Sequence, residues 1–214
     1  LSDGTDRNWV VVTTDSQSKG PGQWGRKWAS PEGNLFSTFC VPVDTQALMP
    51  RISLLPGVVG LAICDTLKGL GVDEDETGLR WINNVLVGGD ILKIGIGVNV
   101  DLGDEVIAGI DQKVTSLRHL LPETPSKETV TKVLTKKMVN KVERFISGTY
   151  SPIDDYSSKL LYRDETVTIF DGEAYTTGKF IGVTNKGLLI LDVDDERKEF
   201  FTGEIVPKPK EIAD

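Results

Sequence analysis

The sequence predicts an α+β fold, in which a mixed, largely antiparallel sheet with flanking helices precedes a small all-β domain. Two observations predict the first part: apolar, β-branched runs of strand length, and two longer segments with apolar residues at helical spacing. A third observation predicts the second part, because short strand-like runs separated by tight turns follow Pro152. We therefore expect one domain at residues 1–151 and another at residues 152–214.

Four strands are predicted in the first domain. Residues 9–14 and 34–43 are rich in β-branched and apolar side chains, which suit a pleated, half-buried surface. Residues 78–87 and 91–100 are two further apolar runs of strand length. A glycine-rich loop at residues 19–28 connects the first strand to the second.

Two long helices are predicted beside this sheet. Residues 52–70 are apolar on most sides, which indicates a buried helix, and Pro56 suits its first turn while Gly71 suits its C-cap. Residues 126–147 are apolar on one face and rich in lysine on the other, with Ser126 as the N-cap. We interpret the lysines as a solvated face.

The second domain is predicted to consist of short strands. Asp171-Gly172 and Asn185-Lys186-Gly187 provide residues that favour tight turns. Four strands with such turns suggest a small barrel. The predicted strands span residues 165–170, 176–183, 187–192 and 198–201.

Composition excludes several classes of function. A net charge of −8 and a pI near 4.8 exclude the basic footprint of a duplex-binding protein, so we expect no nucleic-acid partner. No apolar run approaches the length of a membrane span, so no membrane partner is expected. The two cysteines, Cys40 and Cys64, are predicted to be buried thiols in a reducing, cytoplasmic compartment. The single histidine, His119, is predicted to be a surface or cap residue, and it excludes a histidine-rich zinc site.

The most informative segment is Gly-Pro-Gly-Gln-Trp-Gly-Arg-Lys-Trp at residues 20–28. Its three glycines let backbone amides approach a ligand closely, and successive amides can form an anion-binding concavity. Arg26 and Lys27 add positive charge for a phosphate. Trp24 and Trp28 can stack on a planar ring. The pattern is neither a phosphate-binding Walker loop nor a dinucleotide fingerprint.

An ordered set of motifs resembles the biotin protein ligase family. The loop resembles the family's Gly-Arg-Gly-x-x-Gly-Arg-x-Trp, and residues 30–36 resemble its Ser-Pro-x-Gly-Asn-Leu-Tyr. Arg-Trp-Ile-Asn-Asn at residues 80–84, here the second motif, is similar to Lys-Trp-Pro-Asn-Asp. Residues 94–100 are similar to the Gly-Ile-Gly-x-Asn strand, and residues 202–205 to the C-terminal SH3-like barrel. The resemblance implies a class II synthetase-like catalytic domain followed by that barrel.

The resemblance also implies a role for each matching residue. Arg26 and Asn83 are the implied catalytic residues. Biotin is expected to contact Gln17, Gly20, Gly22, Phe36 and Thr38. ATP or the adenylate is expected to contact Gly25, Arg26, Lys27, Trp28 and Asn99.

The sequence departs from the family pattern at four places. Pro21 replaces the first loop arginine, Gln23 stands where bacterial members often have another arginine, and Arg80 and Asn84 replace the lysine and aspartate of the second motif. The family lysine that contacts the carboxyl and phosphate oxygens has no counterpart, and Lys93 is not an equivalent.

Strand polarity suggests that this lysine lies in an omitted segment. Removing one of two consecutive antiparallel strands would invert the direction of everything that follows, or require a long crossover. We therefore expect a chain break between Gly89 and Asp90, with residues 85–87 and 91–100 running parallel as next-nearest neighbours.

The implied function is ATP-dependent ligation of biotin to a lysine of a biotin carboxyl carrier domain, through biotinyl-5'-AMP. ATP and biotin are the implied cofactors, with Mg²⁺ on the phosphates, and a homodimer is possible. Two alternatives remain open: a lipoate–protein ligase, and a catalytically inactive ligand-binding or scaffold relative. Dependence of pyrophosphate exchange on biotin distinguishes all three.

Overall fold

The computed structural model describes residues 7–18, 20, 30–81, 86–110 and 113–206, which form two antiparallel sheets. The four-stranded sheet has the order β1-β2-β4-β3 and the five-stranded sheet the order β8-β7-β6-β5-β9. The strands are β1 (Val10–Thr14), β2 (Leu35–Pro42), β3 (Leu86–Gly88), β4 (Ile91–Val98), β5 (Thr166–Phe170), β6 (Tyr175–Val183), β7 (Leu189–Val193), β8 (Glu196–Phe200) and β9 (Glu204–Val206). The helices are α1 (Thr45–Leu48), α2 (Leu55–Leu70), α3 (Asp104–Ala108), α4 (Leu117–Leu120), α5 (Lys127–Ile146) and α6 (Ile153–Lys159), with 3-10 turns at Met49–Leu54 and Glu74–Glu76.

The four-stranded sheet packs one face against the main core. Alternate side chains of β2 and β4, such as Phe39 and Ile94, are fully buried in the main core, which also contains residues of α2 and α5. The opposite face, here called the open face, carries Val10 and Val12, which are 55% and 58% exposed. The sheet is antiparallel throughout the described residues, and the single parallel contact there is the isolated bridge between Leu79 and Leu160.

Helix α2 confirms the buried helix predicted at residues 52–70. A 3-10 turn occupies the predicted start, so the α-helix begins at Leu55 with Pro56 in its first turn. It is capped at its C-terminus by Gly71, which has a left-handed φ of 101°. The continuous helical run Thr45–Leu70 is long and apolar enough, by length and composition, to cross a membrane, which the sequence analysis did not expect. More than half of its most apolar window is buried inside the protein, as in the core helix of a globular domain.

Helix α5 confirms the second predicted helix. Ser126 is its N-cap, because the side-chain oxygen accepts a hydrogen bond from the amide of Thr129. On its buried face Glu143 is 5% exposed and accepts hydrogen bonds from Arg7 Nη1 at 2.7 Å and Trp9 Nε1 at 2.6 Å. These bonds attach the start of the chain's first strand to α5.

The expected chain break is wrong. β3 pairs antiparallel with β4 in a two-residue hairpin, with Gly88 opposite Ile91 and Leu86 opposite Lys93, and Gly89 has the positive φ of 60° that such a turn requires. The Asp90 carbonyl accepts a hydrogen bond from the Val43 amide, which anchors the turn to the end of β2. Direct pairing with β4 satisfies strand polarity without a further strand.

The strand predicted at residues 78–87 is wrong at residues 78–81. Leu79 forms only the isolated bridge, Trp81 is buried against the second sheet, and residues 82–85 lie outside the described residues. Strand structure begins again at Leu86. Leu79 and Trp81 are therefore buried without pairing in a strand of either sheet.

The predicted strands after Pro152 are confirmed as β5 to β8, and no helix occurs among the described residues from 165 to 206. The Asp171 turn is as predicted, since its carboxylate accepts hydrogen bonds from the amides of Glu173 and Ala174. A second apolar cluster lies between this sheet and α2. It comprises Leu61, Cys64, Leu79, Trp81, Tyr156, Leu160, Val167, Ile169, Phe180, Leu189, Leu191 and Ile205.

The thiol prediction holds for one cysteine. Cys64 is 6% exposed, and burial raises the pKa of its thiol. Cys40 is half-buried, because it lies on the open face opposite Lys93.

Candidate active site

The open face brings together several residues expected at the ligand. Phe36 pairs with Thr14 on β1 and Gly97 on β4, and the next row on the same face contains Val12, Thr38 and Gly95. Phe36 is 3% exposed and Thr38 is half-buried. Thr38 therefore provides an accessible hydroxyl on this face, whereas the neighbouring Phe36 is almost fully enclosed.

Glycines on β4 leave space above the sheet. A Cβ atom added at Gly95 would meet no heavy atom within 4 Å, so nothing in the described protein fills that position. Gly95 and Gly97 are both exposed. Adjacent rows on one face lie about 7 Å apart, which is the length of two residues along a strand. The row that contains Thr38 and Gly95 therefore has open space above it.

Gln17 and Gly20 are held together at the described end of the glycine-rich loop. Ser30 Oγ donates a hydrogen bond to Gln17 Oε1 at 3.2 Å. A Cβ atom at Gly20 would lie 2.5 Å from Gln17 Oε1 and 2.9 Å from Ser30 Oγ. A side chain at position 20 would therefore displace the Gln17 and Ser30 side chains from their hydrogen bond.

Six residues expected at the site lie outside the described residues. They are Gly22, Gly25, Arg26, Lys27, Trp28 and Asn83. Their roles stay predictions from the resemblance.

Asn99 lies one residue past the end of β4. Phe36 and Gly97 lie near the same end of the two central strands. Its Nδ2 donates to the carbonyl of Thr115 at 3.1 Å. The amides of Leu117 and Arg118 donate to the carbonyls of Asn99 and Val100 at 2.9 and 3.0 Å. The backbone at Asn99 is thus fixed by the segment that begins α4.

Asn34 is a site-forming residue to which the sequence analysis assigned no role. It is 1% exposed, accepts a hydrogen bond from the Val100 amide at 2.8 Å, and donates to the Pro31 carbonyl at 3.3 Å. Its place in the Ser-Pro-x-Gly-Asn-Leu motif at residues 30–35 was the only available signal.

His119 lies in a hydrogen-bonded chain with a serine and an aspartate. Its Nδ1 is 2.7 Å from Ser116 Oγ, and its Nε2 is 2.8 Å from Asp104 Oδ1. Ser116 is 2% exposed, so its hydroxyl is not accessible to a substrate. The chain therefore connects α3 to α4, and His119 is the surface residue that was predicted.

A separate cleft of about 290 Å³ lies between the second motif and the C-terminal sheet. Arg80 and Tyr162 line this cleft, and the Arg80 guanidinium lies over the Tyr162 ring, 5.9 Å from its centre. The next residue, Trp81, is 1% exposed and donates from Nε1 to the Gly187 carbonyl at 3.1 Å. Among the described residues no group of three or more His, Cys, Asp or Glu side chains could hold a metal ion.

Comparisons with known proteins agree with this arrangement. The chain is 26% identical to the biotin–[acetyl-CoA-carboxylase] ligase of Mycobacterium tuberculosis, over 95% of this chain and 80% of that protein. It is 23% identical to a bifunctional ligase/repressor of Bacillus spizizenii, over 92% of this chain but only 65% of that protein's length.

A solved structure has the same fold. The biotin protein ligase from Aquifex aeolicus, in complex with biotin and ATP, superposes with a TM-score of 0.75 and 27% identity, over 92% of this chain and 87% of that one. The family model of the biotin/lipoate A/B protein ligases matches residues 2–116, which is more than half of the chain. The chain is therefore a member of the biotin/lipoate A/B protein ligase family.

Proposed function

We propose that this protein is an ATP-dependent biotin–protein ligase. It joins biotin to a lysine of a biotin carboxyl carrier domain through a biotinyl-5'-AMP intermediate. The observation that carries the proposal is the clustering of Phe36, Thr38, Gly95 and Asn99 at one end of the open face. Relatives named as biotin ligases, one of them in complex with biotin and ATP, support the same activity.

The reaction has two steps. The carboxylate of biotin attacks the α-phosphate of ATP and pyrophosphate leaves; a carrier lysine then takes the biotinyl group from the mixed anhydride and AMP leaves. The chain's contribution is positioning and charge neutralisation, without a covalent enzyme intermediate. Mg²⁺ is proposed as the counter-ion of the phosphates.

The proposed ligand orientation follows the sheet. The ring system of biotin lies over the rows of Phe36 and Thr38, with Gln17 at its ureido group. The adenine lies at Asn99, beyond Gly97. Arg26 and Lys27 of the glycine-rich loop neutralise the phosphate between them.

A catalytically inactive relative is the second candidate, and the closed hairpin is the observation that favours it. Only Gly89 and Asp90 separate β3 from β4, so the interval provides no lysine for the carboxyl and phosphate oxygens. The names of the relatives favour the working ligase.

We also propose a cytoplasmic location, a homodimer, and closure of the C-terminal strands into an SH3-like barrel. Support for the barrel comes from five antiparallel strands with tight turns. The division at residues 1–151 and 152–214 is proposed with it.

The decisive experiment is pyrophosphate exchange into ATP, measured with biotin, with lipoate and without either. Exchange that requires biotin supports the ligase. Exchange with lipoate alone would indicate a lipoate ligase. Absence of exchange, together with measurable biotin binding, would favour the inactive relative.

A further inference from the structure

Lys93 is the only charged residue among the strand residues that the structure describes in the four-stranded sheet. It is exposed, and strand alternation places it on the open face with Gly95 and Gly97. Its neighbours across the sheet are Cys40 on β2 and Leu86 on β3, neither of which is an aspartate or a glutamate. Its ammonium forms no ion pair or hydrogen bond with any residue that the structure describes. Lys93 is therefore available to an anionic ligand on this face.

Lys93 lies beside the open space on the sheet. Its row is adjacent to the row of Thr38 and Gly95, and adjacent rows are about 7 Å apart. A lysine has a flexible four-carbon stem, so its ammonium can be directed across most of that distance. A Cβ atom at Gly95 would meet no heavy atom within 4 Å, so no described residue blocks the path. The ammonium can therefore meet a ligand that lies above Thr38 and Gly95.

The proposed orientation of biotin directs its carboxylate toward the row of Lys93. Gln17, the residue proposed at the ureido group, follows the end of β1, where Thr14 pairs with Phe36. In biotin the ureido carbonyl and the valerate tail are at opposite ends of the bicyclic ring. The tail therefore leaves the rings on the side away from Gln17 and Thr14, which is the side of Lys93. Because the tail ends in a carboxylate, a cation at this position would stabilise it.

We propose that Lys93 binds the carboxylate of biotin and holds the tail on the sheet before adenylation. The inference rests on the proposed function. Lys93 lies within β4, and its Cα atom is about 20 Å along the chain from that of Asn99, where the adenine is placed. Lys93 therefore binds the carboxylate, and neutralisation of the phosphate depends on Arg26 and Lys27 of the loop.

The test compares biotin with biotinamide, in which a neutral amide replaces the carboxylate. We expect the wild-type protein to bind biotin at least about tenfold more tightly at low salt, because hydrogen bonds between charged groups are strong. Lys93→Met keeps the length of the side chain and removes its charge. The preference should then fall at least about fivefold, through weaker binding of biotin alone. Lys93→Arg keeps the positive charge and should retain part of the preference. Isothermal titration calorimetry measures each dissociation constant.

Lys198→Met is the matched control. Lys198 is an exposed lysine on β8 of the other sheet, opposite Leu191. Its substitution changes the net charge of the protein by the same amount as Lys93→Met. Both affinities should be unchanged in this variant.

An unchanged preference in Lys93→Met overturns the proposal, because an exposed residue can be replaced without repacking. Equal weakening of biotin and biotinamide would overturn it too, since Lys93 would then not act on the carboxylate. A wild-type protein that exchanges pyrophosphate with biotin, yet binds both compounds equally, refutes this inference alone. One that binds neither compound refutes the proposed function.

Discussion

A side chain at position 95 should affect ligand binding without affecting the stability of the fold. A side chain there would meet no heavy atom within 4 Å, so the strand tolerates it. We expect Gly95→Val to change the free energy of unfolding by no more than about 0.5 kcal/mol, in line with surface substitutions. The same side chain would occupy the proposed place of the biotin rings, so biotin affinity should fall at least about tenfold, measured by calorimetry.

Gly103→Ala is the matched control for this prediction. Its added Cβ atom also meets nothing within 4 Å, but it precedes α3 and lies off the sheet. It should leave biotin affinity unchanged. Equal biotin affinity in Gly95→Val and the wild-type protein would move the ligand away from the open face.

Tyr156 makes the stability of the protein sensitive to alkali. It is 3% exposed, and burial raises the pKa of its phenol well above 10. Because the pKa is higher in the folded state, the neutral phenol makes its full contribution to the free energy of unfolding below the unfolded-state pKa near 10. That contribution is lost as the pH rises above this value. We expect Tyr156→Phe to lose less thermal stability than the wild-type protein between about pH 9 and pH 11. Tyr175→Phe, at a residue 62% exposed, should follow the wild-type curve.

Single residues show what could be predicted at the site and what could not. Phe36, Thr38 and Asn99 were identified through motif resemblance, and the strand register places the first two in adjacent rows. Asn34 was quoted within a motif without a role, because its partner Val100 is 66 positions away along the chain. A neutral amide has no charge pattern that would indicate such a distant partner.

At the scale of elements, Glu143 attaches β1 to α5. Its carboxylate accepts from Arg7 and Trp9 and is 5% exposed. We expect Glu143→Ala to lower the free energy of unfolding by about 2–4 kcal/mol, because it leaves two donors without their acceptor in a largely buried position. Urea denaturation measures the change.

The control is Asp15→Ala, which removes the exposed ion pair between Asp15 and Lys127 at the other end of the same strand and helix. Exposed pairs contribute little, so the free energy of unfolding should change by less than about 1 kcal/mol. Similar losses in both variants would mean that the Glu143 bonds do not hold the strand.

Elements were predictable where their signals are local. The α5 helix has its N-cap, its apolar stripe and its terminator within one segment, so the sequence defines it. The short helices α3, α4 and α6 have four to seven residues and were not predicted, since tertiary contacts stabilise them. Polarity reasoning failed for β3 because it assumed the family's strand count.

At the scale of the whole molecule, the closed hairpin between β3 and β4 predicts that formation of the adenylate is slowed more than transfer of biotin to the carrier lysine. No lysine is available between β3 and β4 to bridge the carboxylate and the α-phosphate as they approach. We expect biotin-dependent pyrophosphate exchange to be measurable but much slower than in the Aquifex aeolicus ligase. Transfer from chemically prepared biotinyl-5'-AMP to a carrier domain should be much less affected, because the anhydride is already formed.

The two half-reactions are measured separately, by exchange and by mass spectrometry of the carrier. Exchange as fast as in the relative would show that another cation acts between the two substrates.

The second apolar cluster also imposes an order on biosynthesis. Leu61, Leu79 and Trp81 emerge from the ribosome about a hundred residues before Phe180 and Leu191, which cover them in the finished protein. Until those strands are made, the flank of α2 is an exposed apolar surface on a nascent chain. A polypeptide interrupted near residue 150 would therefore keep its main core but expose this apolar surface. Binding of chaperones to the nascent chain should be greatest during synthesis of the last third of the chain.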